Sequence, residues 1–177
     1  VVVVIGPGAI GLLCAQVARA VGATVVLVGR SRHADRLELA RRLGVDRTVD
    51  SQTEDVEAVV RSMTDGYGAH SVFECSGAAG VLEGVAPLLR KGGRIVLVAF
   101  FHEQPSVDID KLINNELELV GSRGKRASSF QTALRLVESG HIDLESVIGA
   151  RLPLDEWEKG IELVAQGVKV VLEVQPE

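Results

Sequence analysis

The chain has 177 residues, 46% of them hydrophobic and 24% charged, with a net charge of −5, which is the composition of an ordinary folded protein with room for one good-sized core. The negative charge and the 3% aromatic content speak against nucleic acid and against an anionic membrane surface, since both partners need a basic face and nucleic acid also needs stacking platforms. Apolar runs fall far short of the ~18 residues of a membrane span and no signal peptide is recognisable, while Cys14 and Cys75 sit in apolar segments without metal-ligand spacing, as small core residues of a reducing, cytoplasmic protein would.

The sequence opens inside a strand, with no Met and no lead-in, so an upstream part is expected to precede it. Val1 to Ile5 is an unbroken β-branched run, the pattern of a strand buried on both faces. Leu12 to Ala20 has apolar residues at helical spacing and no breaker. Between them stands Gly6-Pro7-Gly8-Ala9-Ile10-Gly11. In a dinucleotide fold the first glycine of G-x-G-x-x-G makes the tight turn, the second admits a pyrophosphate to the backbone, and the third lets helix and strand pack closely. The helix N-terminus then offers free N–H groups to the phosphates. Glycine clusters also occur in purely structural turns, and the strand before and helix after favour the nucleotide reading.

Thr24 to Val28 reads as the second strand, ended by Gly29, and Asp35 to Leu43 as a helix stopped by Gly44. Arg47 to Asp50 is a short third strand, and a helix opens at Thr53 or Glu54 and runs to about Met63. After a turn at Asp65 to Gly68 comes the fourth strand, Ser71 to Cys75, then a helix from Ala78 to Arg90 that Pro87 is expected to kink. Lys91-Gly92-Gly93 leads into a fifth strand, Arg94 to Val98. Residues 101–110 read as a polar loop, and Glu116 to Val120 alternates as a half-exposed edge strand does. Strands alternating with helices imply an α/β fold, a six-stranded parallel sheet wound on both faces in the order 3-2-1-4-5-6, with ligand across the carboxyl ends of its strands.

The tail differs. A helix from about Ala127 to Ser139, an extended stretch Val147 to Leu154, a helix capped by Asp155 and carrying Trp157, Ile161 and Val164, and a last strand Val168 to Leu172 form a C-terminal α/β segment. The expected division is residues 1–121 and 122–177.

The stretches GPGAIGLLCAQVARAVGA, RLELARRLGVDRTVD, GYGAHSVFECSG, KGGRIVLV, ELELVGS, LDEW and KVVLEV together resemble the cofactor-binding part of a medium-chain, zinc-type alcohol or polyol dehydrogenase, of the sorbitol and threonine dehydrogenase kind. The resemblance covers nearly the whole chain in family order. It implies a Rossmann NAD(P)-binding domain and hydride transfer between the dinucleotide and an alcohol or carbonyl compound. In that family a separate N-terminal barrel holds the catalytic zinc through Cys, His and an acid, and a four-Cys lobe often holds a structural zinc. No counterpart of either stands in this sequence, so the resemblance implies no catalytic residue and no metal ligand here. Zinc is expected only in that other domain, against which the segment from Ser122 onward would pack. It also implies a homodimer or homotetramer, with two cofactor domains joined along the sixth strand. His70 stands where the family tends to have Asp.

The expected cofactor contacts follow. Gly6, Pro7, Gly8, Ala9, Ile10 and Gly11 would cradle the pyrophosphate. An NAD site usually has an acid after the second strand for the adenine ribose. Here Gly29, Arg30, Ser31 and Arg32 follow it, and guanidinium with hydroxyl suits a 2′-phosphate, which favours NADP over NAD; solvated arginines are the bland alternative. Cys75, Ser76 and Gly77, then Val98, Ala99 and Phe100, then Gly121 and Ser122 end strands four, five and six, where cofactor contact competes with plain strand-end packing. Lys169 matches a family position that reaches the cofactor phosphate and reads equally as a surface lysine. The histidines form no ligand pair and read as loop residues. Glu74, the one acid inside an apolar strand, needs a buried hydrogen-bond partner. Two other readings stay open: a methyltransferase, which usually keeps the acid after strand two, and a non-catalytic nucleotide-binding module.

Overall fold

The computed structural model describes residues 1–124 and 126–174. Strands β1 (Val2–Ile5), β2 (Val25–Gly29), β3 (Arg47–Asp50), β4 (Ala69–Glu74), β5 (Leu89–Leu97) and β6 (Glu118–Gly121) form one sheet in the order β3-β2-β1-β4-β5-β6. Every pairing is parallel. Helices α1 (Ala9–Ala20), α2 (Ala34–Arg42), α3 (Val56–Ser62) and α4 (Ile109–Asn114) connect the strands. The apolar run of β1 is explained by the winding. Val3 and Ile5 face a core shared with Val60 of α3 and Val72 of β4. Val4 faces the other core, with Leu12 and Ala15 of α1 and Leu37 of α2. Each face of a doubly wound sheet is covered, so neither set of alternate residues is free to be polar.

Residues 126–174 build α5 (Ala127–Glu138), β7 (Ala150–Pro153), α6 (Trp157–Ala165) and β8 (Val170–Glu173), and β7 and β8 pair in parallel. This part is anchored to α1 by Gln16, which is buried. Its amide donates to the Asp143 carbonyl at 3.2 Å and its oxygen accepts from the Asp143 N–H at 2.6 Å. Among the described residues no helix is long and apolar enough to cross a membrane.

Several elements differ from the sequence reading. The helix expected over 78–90 is two 3-10 segments, Ala79–Gly84 and Ala86–Leu88. Gly80 and Gly84 weaken an α-helix there, and Pro87 removes a donor where the helix would need one. Strand β5 begins five residues early, at Leu89, which pairs with Ala69. Residues 91–93 then bulge out, with Gly92 at φ +68°, before Ser71 and Arg94 restore the register. The loop 101–110 contains the start of α4, capped by the Asp108 carboxyl on the Lys111 N–H at 3.1 Å. Helix α3 starts later than expected because Asp55 caps it, accepting from Ala58 N–H at 3.1 Å. Asp155 does not cap α6; it lies in a 3-10 turn, Leu154–Glu156, that runs into the helix. Strand β6 is exposed at all four residues, and Glu116 before it adopts φ +53°.

Candidate dinucleotide site

The turn between β1 and α1 opens at the carboxyl edge of the sheet. Gly6 has φ +101°, and a β-carbon there would lie 2.8 Å from the Ser76 backbone, so only glycine lets β1 and β4 end side by side. A β-carbon on Gly11 would run into the Gly6 carbonyl oxygen. Gly8 is different. Its φ of −70° suits any residue, and a β-carbon would meet no protein atom within 4 Å. The space over Gly8 is left open by the fold and faces the cleft. The first hydrogen bond of α1 runs from Leu12 N–H to the Gly8 carbonyl at 2.9 Å, so the amides of Ala9, Ile10 and Gly11 have no acceptor within the helix. This is an anion cradle with the helix dipole behind it.

A cavity of about 250 Å³ continues from this cradle. Of the residues expected from sequence, Gly6, Pro7, Gly8, Gly29, Arg30, Arg32, Cys75 and Ser76 line it. Ala9, Ile10 and Gly11 stand just behind, in the first turn of α1. Gly77 is buried against the Phe100 carbonyl, with φ +68°. Val98 and Ala99 follow β5, both donating to the Glu74 carbonyl, at 2.9 and 3.1 Å. Phe100 is 70% exposed and carries the Arg123 guanidinium 4.6 Å over its ring. Gly121 ends β6, and the Ser122 N–H donates to the Leu97 carbonyl at 2.9 Å. These strand ends continue the cleft edge outside the cavity. Lys169 is exposed and outside it as well; its carbonyl accepts from Gly149 N–H at 2.8 Å.

Ser31 departs from expectation. Its hydroxyl donates to the Asp50 carboxyl at 2.5 Å and its N–H to Gln52 at 3.1 Å, so it is turned to β3 and does not line the cavity. The Ser31 hydroxyl bond holds the Asp50 carboxyl below the usual carboxylate range. Reading the loop alone gives no sight of a partner on the neighbouring strand. His33, Arg36, Ser51, Ala78 and Val81 also line the cavity, beyond the residues expected from the sequence. His33, read as a loop histidine, is half-buried there. A signal for Arg36 existed: it stands four residues after Arg32, one helical turn further on.

Glu74 is fully buried at the end of β4. Its carboxyl accepts from Ser76 N–H at 2.8 Å, from the Ser76 hydroxyl, and from Gly77 N–H at 3.1 Å. It supplies the acceptors for the turn that forms one wall of the cavity. Cys14 and Cys75 are half-buried free thiols packed on the core under α1. A hydrogen bond with Cys14, then burial, pushes the Cys75 thiol far up.

The residues fit a dinucleotide: an open cradle over Gly8, free helix amides, and a cavity running to cationic side chains after β2. They do not fit a catalytic zinc. Among the described residues no group of three or more His, Cys, Asp or Glu side chains is placed to hold a metal ion.

Residues 9–139 match the model of the zinc-binding dehydrogenase family. The chain is similar to the D-arabitol-phosphate dehydrogenase of Enterococcus avium, at 36% identity over 99% of this chain and 51% of that protein. It is similar to the sorbitol dehydrogenase of Halalkalibacterium halodurans, at 38% identity over 97% of this chain and 51% of that protein. Among solved structures, 2R,3R-butanediol dehydrogenase from Bacillus subtilis superposes with a TM-score of 0.85 at 28% identity, over 99% of this chain and 50% of that one. The chain spans about half the length of these relatives. It belongs to the zinc-binding dehydrogenase family, in which it corresponds to the nucleotide-binding half.

Proposed function

We propose that this chain docks a nicotinamide dinucleotide for a dehydrogenase that interconverts an alcohol, of polyol kind, and its carbonyl product. The observation that carries this reading is the open space over Gly8, walled by a turn that tolerates no side chain at Gly6 or Gly11. When bound, the dinucleotide supplies or accepts the hydride. The amides of Ala9, Ile10 and Gly11 hold its pyrophosphate, and Gly29, Arg30 and Arg32 meet the adenosine end. Cys75, Ser76 and Gly77, with Val98, Ala99, Phe100, Gly121 and Ser122, lie toward the nicotinamide end, and Lys169 reaches toward the cofactor phosphate. The relatives named for polyols suggest the substrate class. A cytoplasmic location is part of the reading, supported by two free thiols in a core.

The cofactor we propose is NADP over NAD, with Arg30 as the main discriminator. No acid ends β2, and Arg30 and Arg32 line the cavity instead. A charge-assisted bond is worth ~1.5–3 kcal/mol, so one Arg contact discriminates by roughly ten- to a hundredfold. Paired titrations with NADPH and NADH are expected to favour NADPH in the wild type, less so in high salt. Arg30→Asp is expected to reverse the order. Equal wild-type affinities, or no change in the mutant, return Arg30 to a solvated surface residue.

Residues 122–177 are proposed as the part that meets the zinc-bearing half of the enzyme. Phe130 and Leu134 on α5 and Trp157, Ile161 and Val164 on α6 are 49–60% exposed, at spacings that put each set on one helix face. The catalytic ligands lie in that other half, so this chain alone is expected to turn over no alcohol and to take up no stoichiometric zinc; activity of the zinc-loaded chain refutes this. Strand β6 is the proposed seam of a homodimer, as an exposed edge with Leu119 and Val120 open. A monomer by light scattering at high concentration counts against it.

A further inference from the structure

His33 sits where three guanidiniums converge on the far end of the cavity. Arg30, Arg32, His33 and Arg36 all line it. Among the described residues none of these arginines forms an ion pair. Arg36 donates to the Gln166 carbonyl at 3.2 Å, and Arg32 Nε points at His33 Nε2 at 3.1 Å. The Arg30 backbone N–H points at His33 Nδ1 at 3.4 Å. Two donors thus face the two nitrogens of one imidazole. A neutral ring accepts at only one of them, and an imidazolium at neither. The present arrangement is therefore that of a neutral His33, and adding a proton requires the Arg32 guanidinium to let go. Among the described residues the charged groups acting on the ring are Arg32, Arg36 and Arg30, against the anion of Asp50 across on β3. Burial and the three arginines hold the ring below the usual histidine range; Asp50 offsets them in part.

A phosphomonoester dianion inverts this balance. It neutralises the guanidiniums, gives Arg32 a better acceptor than a ring nitrogen, and leaves His33 beside two units of negative charge.

We propose that His33 is a specificity-determining residue which takes up a proton as the 2′-phosphate of NADP seats among Arg30, Arg32 and Arg36, so that discrimination between NADP and NAD depends on pH. The inference rests on the NADP reading. Proton uptake on binding means that affinity rises as pH falls from above the ring's titration in the complex toward its titration in the free protein. The second ionisation of a phosphomonoester lies near pH ~6, so further acidification discharges the ligand and affinity declines. A preference that passes through a maximum as pH is lowered is the result.

The probes are 2′,5′-ADP and 5′-AMP, which share the adenosine and differ in the 2′-phosphate. The histidine ring protons of the 177-residue chain are titrated by NMR, free and with each probe, with His33→Gln to assign the signal. With 2′,5′-ADP the His33 midpoint is expected to move up by about one unit, which gives up to roughly tenfold in affinity across the window. With 5′-AMP it is expected to stay in place. Calorimetry in buffers of different ionisation enthalpy is expected to show proton uptake at pH 7 for 2′,5′-ADP in the wild type and much less in His33→Gln. Tight 2′,5′-ADP binding with an unmoved His33 midpoint overturns the role of His33 and leaves the NADP reading standing. If 2′,5′-ADP binds no more tightly than 5′-AMP, the NADP reading itself fails and the role of His33 with it.

Discussion

Gly8→Val is expected to lower dinucleotide affinity by about a hundredfold or more, ~2.7 kcal/mol, while the chain stays folded. The expectation follows from the contrast among the three glycines. Gly6 and Gly11 are structural, since a β-carbon at either strikes backbone, Ser76 at one and Gly6 at the other. Substituting them damages the fold and makes any loss of binding ambiguous. Gly8 has extended backbone, φ −70° and ψ 177°, and no protein atom near its missing β-carbon. An isopropyl group there occupies only the space over the cradle and screens the free amides of α1. Valine is a poorer helix N-cap than glycine, which costs up to about 1 kcal/mol, so a small drop in melting temperature accompanies the loss. Calorimetric titration beside a thermal melt separates the two effects. Unchanged affinity in a folded variant means that the pyrophosphate lies elsewhere.

The parts of this molecule legible in the sequence are those whose causes are local. The Val1–Ile5 run, the glycine turn and the α1 periodicity are adjacent in the chain, and together they imply the β1–α1 unit and the strand order. The misreadings have causes that are not local, or are local but weak. The helix over 78–90 has suitable apolar spacing, and only the summed cost of Gly80, Gly84 and Pro87 breaks it into 3-10 turns. Ser31 reads as a free hydroxyl because its partner, Asp50, is 19 residues away and comes alongside only when β3 pairs with β2. The same folding step sets Ser51 at the cavity. His33 reads as a loop residue because the 3-10 turn Ser31–His33 leaves no mark in the sequence, and Arg36 lies within the helix expected from Asp35, whose cleft-facing side only the folded structure reveals. Glu74 was legible as a problem, a carboxyl in an apolar strand, and its solution was not, because the acceptor's partners are the backbone N–H groups of the following turn.

That solution makes truncation of Glu74 costly in stability. Its carboxyl is fully buried and receives Ser76 N–H, the Ser76 hydroxyl and Gly77 N–H. In Glu74→Ala the Ser76 donors can turn to water, since Ser76 is exposed, but Gly77 is buried and cannot. A stranded buried donor costs ~1–3 kcal/mol, and the cavity left by the lost side chain adds to it, for a total of about 2–4 kcal/mol. Binding should weaken too, because Cys75 and Ser76 form one wall of the cavity and lose the anchor that sets their turn. Glu74→Gln keeps one oxygen for Ser76 and turns an amide donor toward the Gly77 N–H, so it should fall between wild type and alanine. Urea unfolding of the three proteins measures the first effect, and NADH and NADPH titrations the second. An alanine variant as stable as the wild type would mean that the turn finds other acceptors, and that Glu74 is not what holds it.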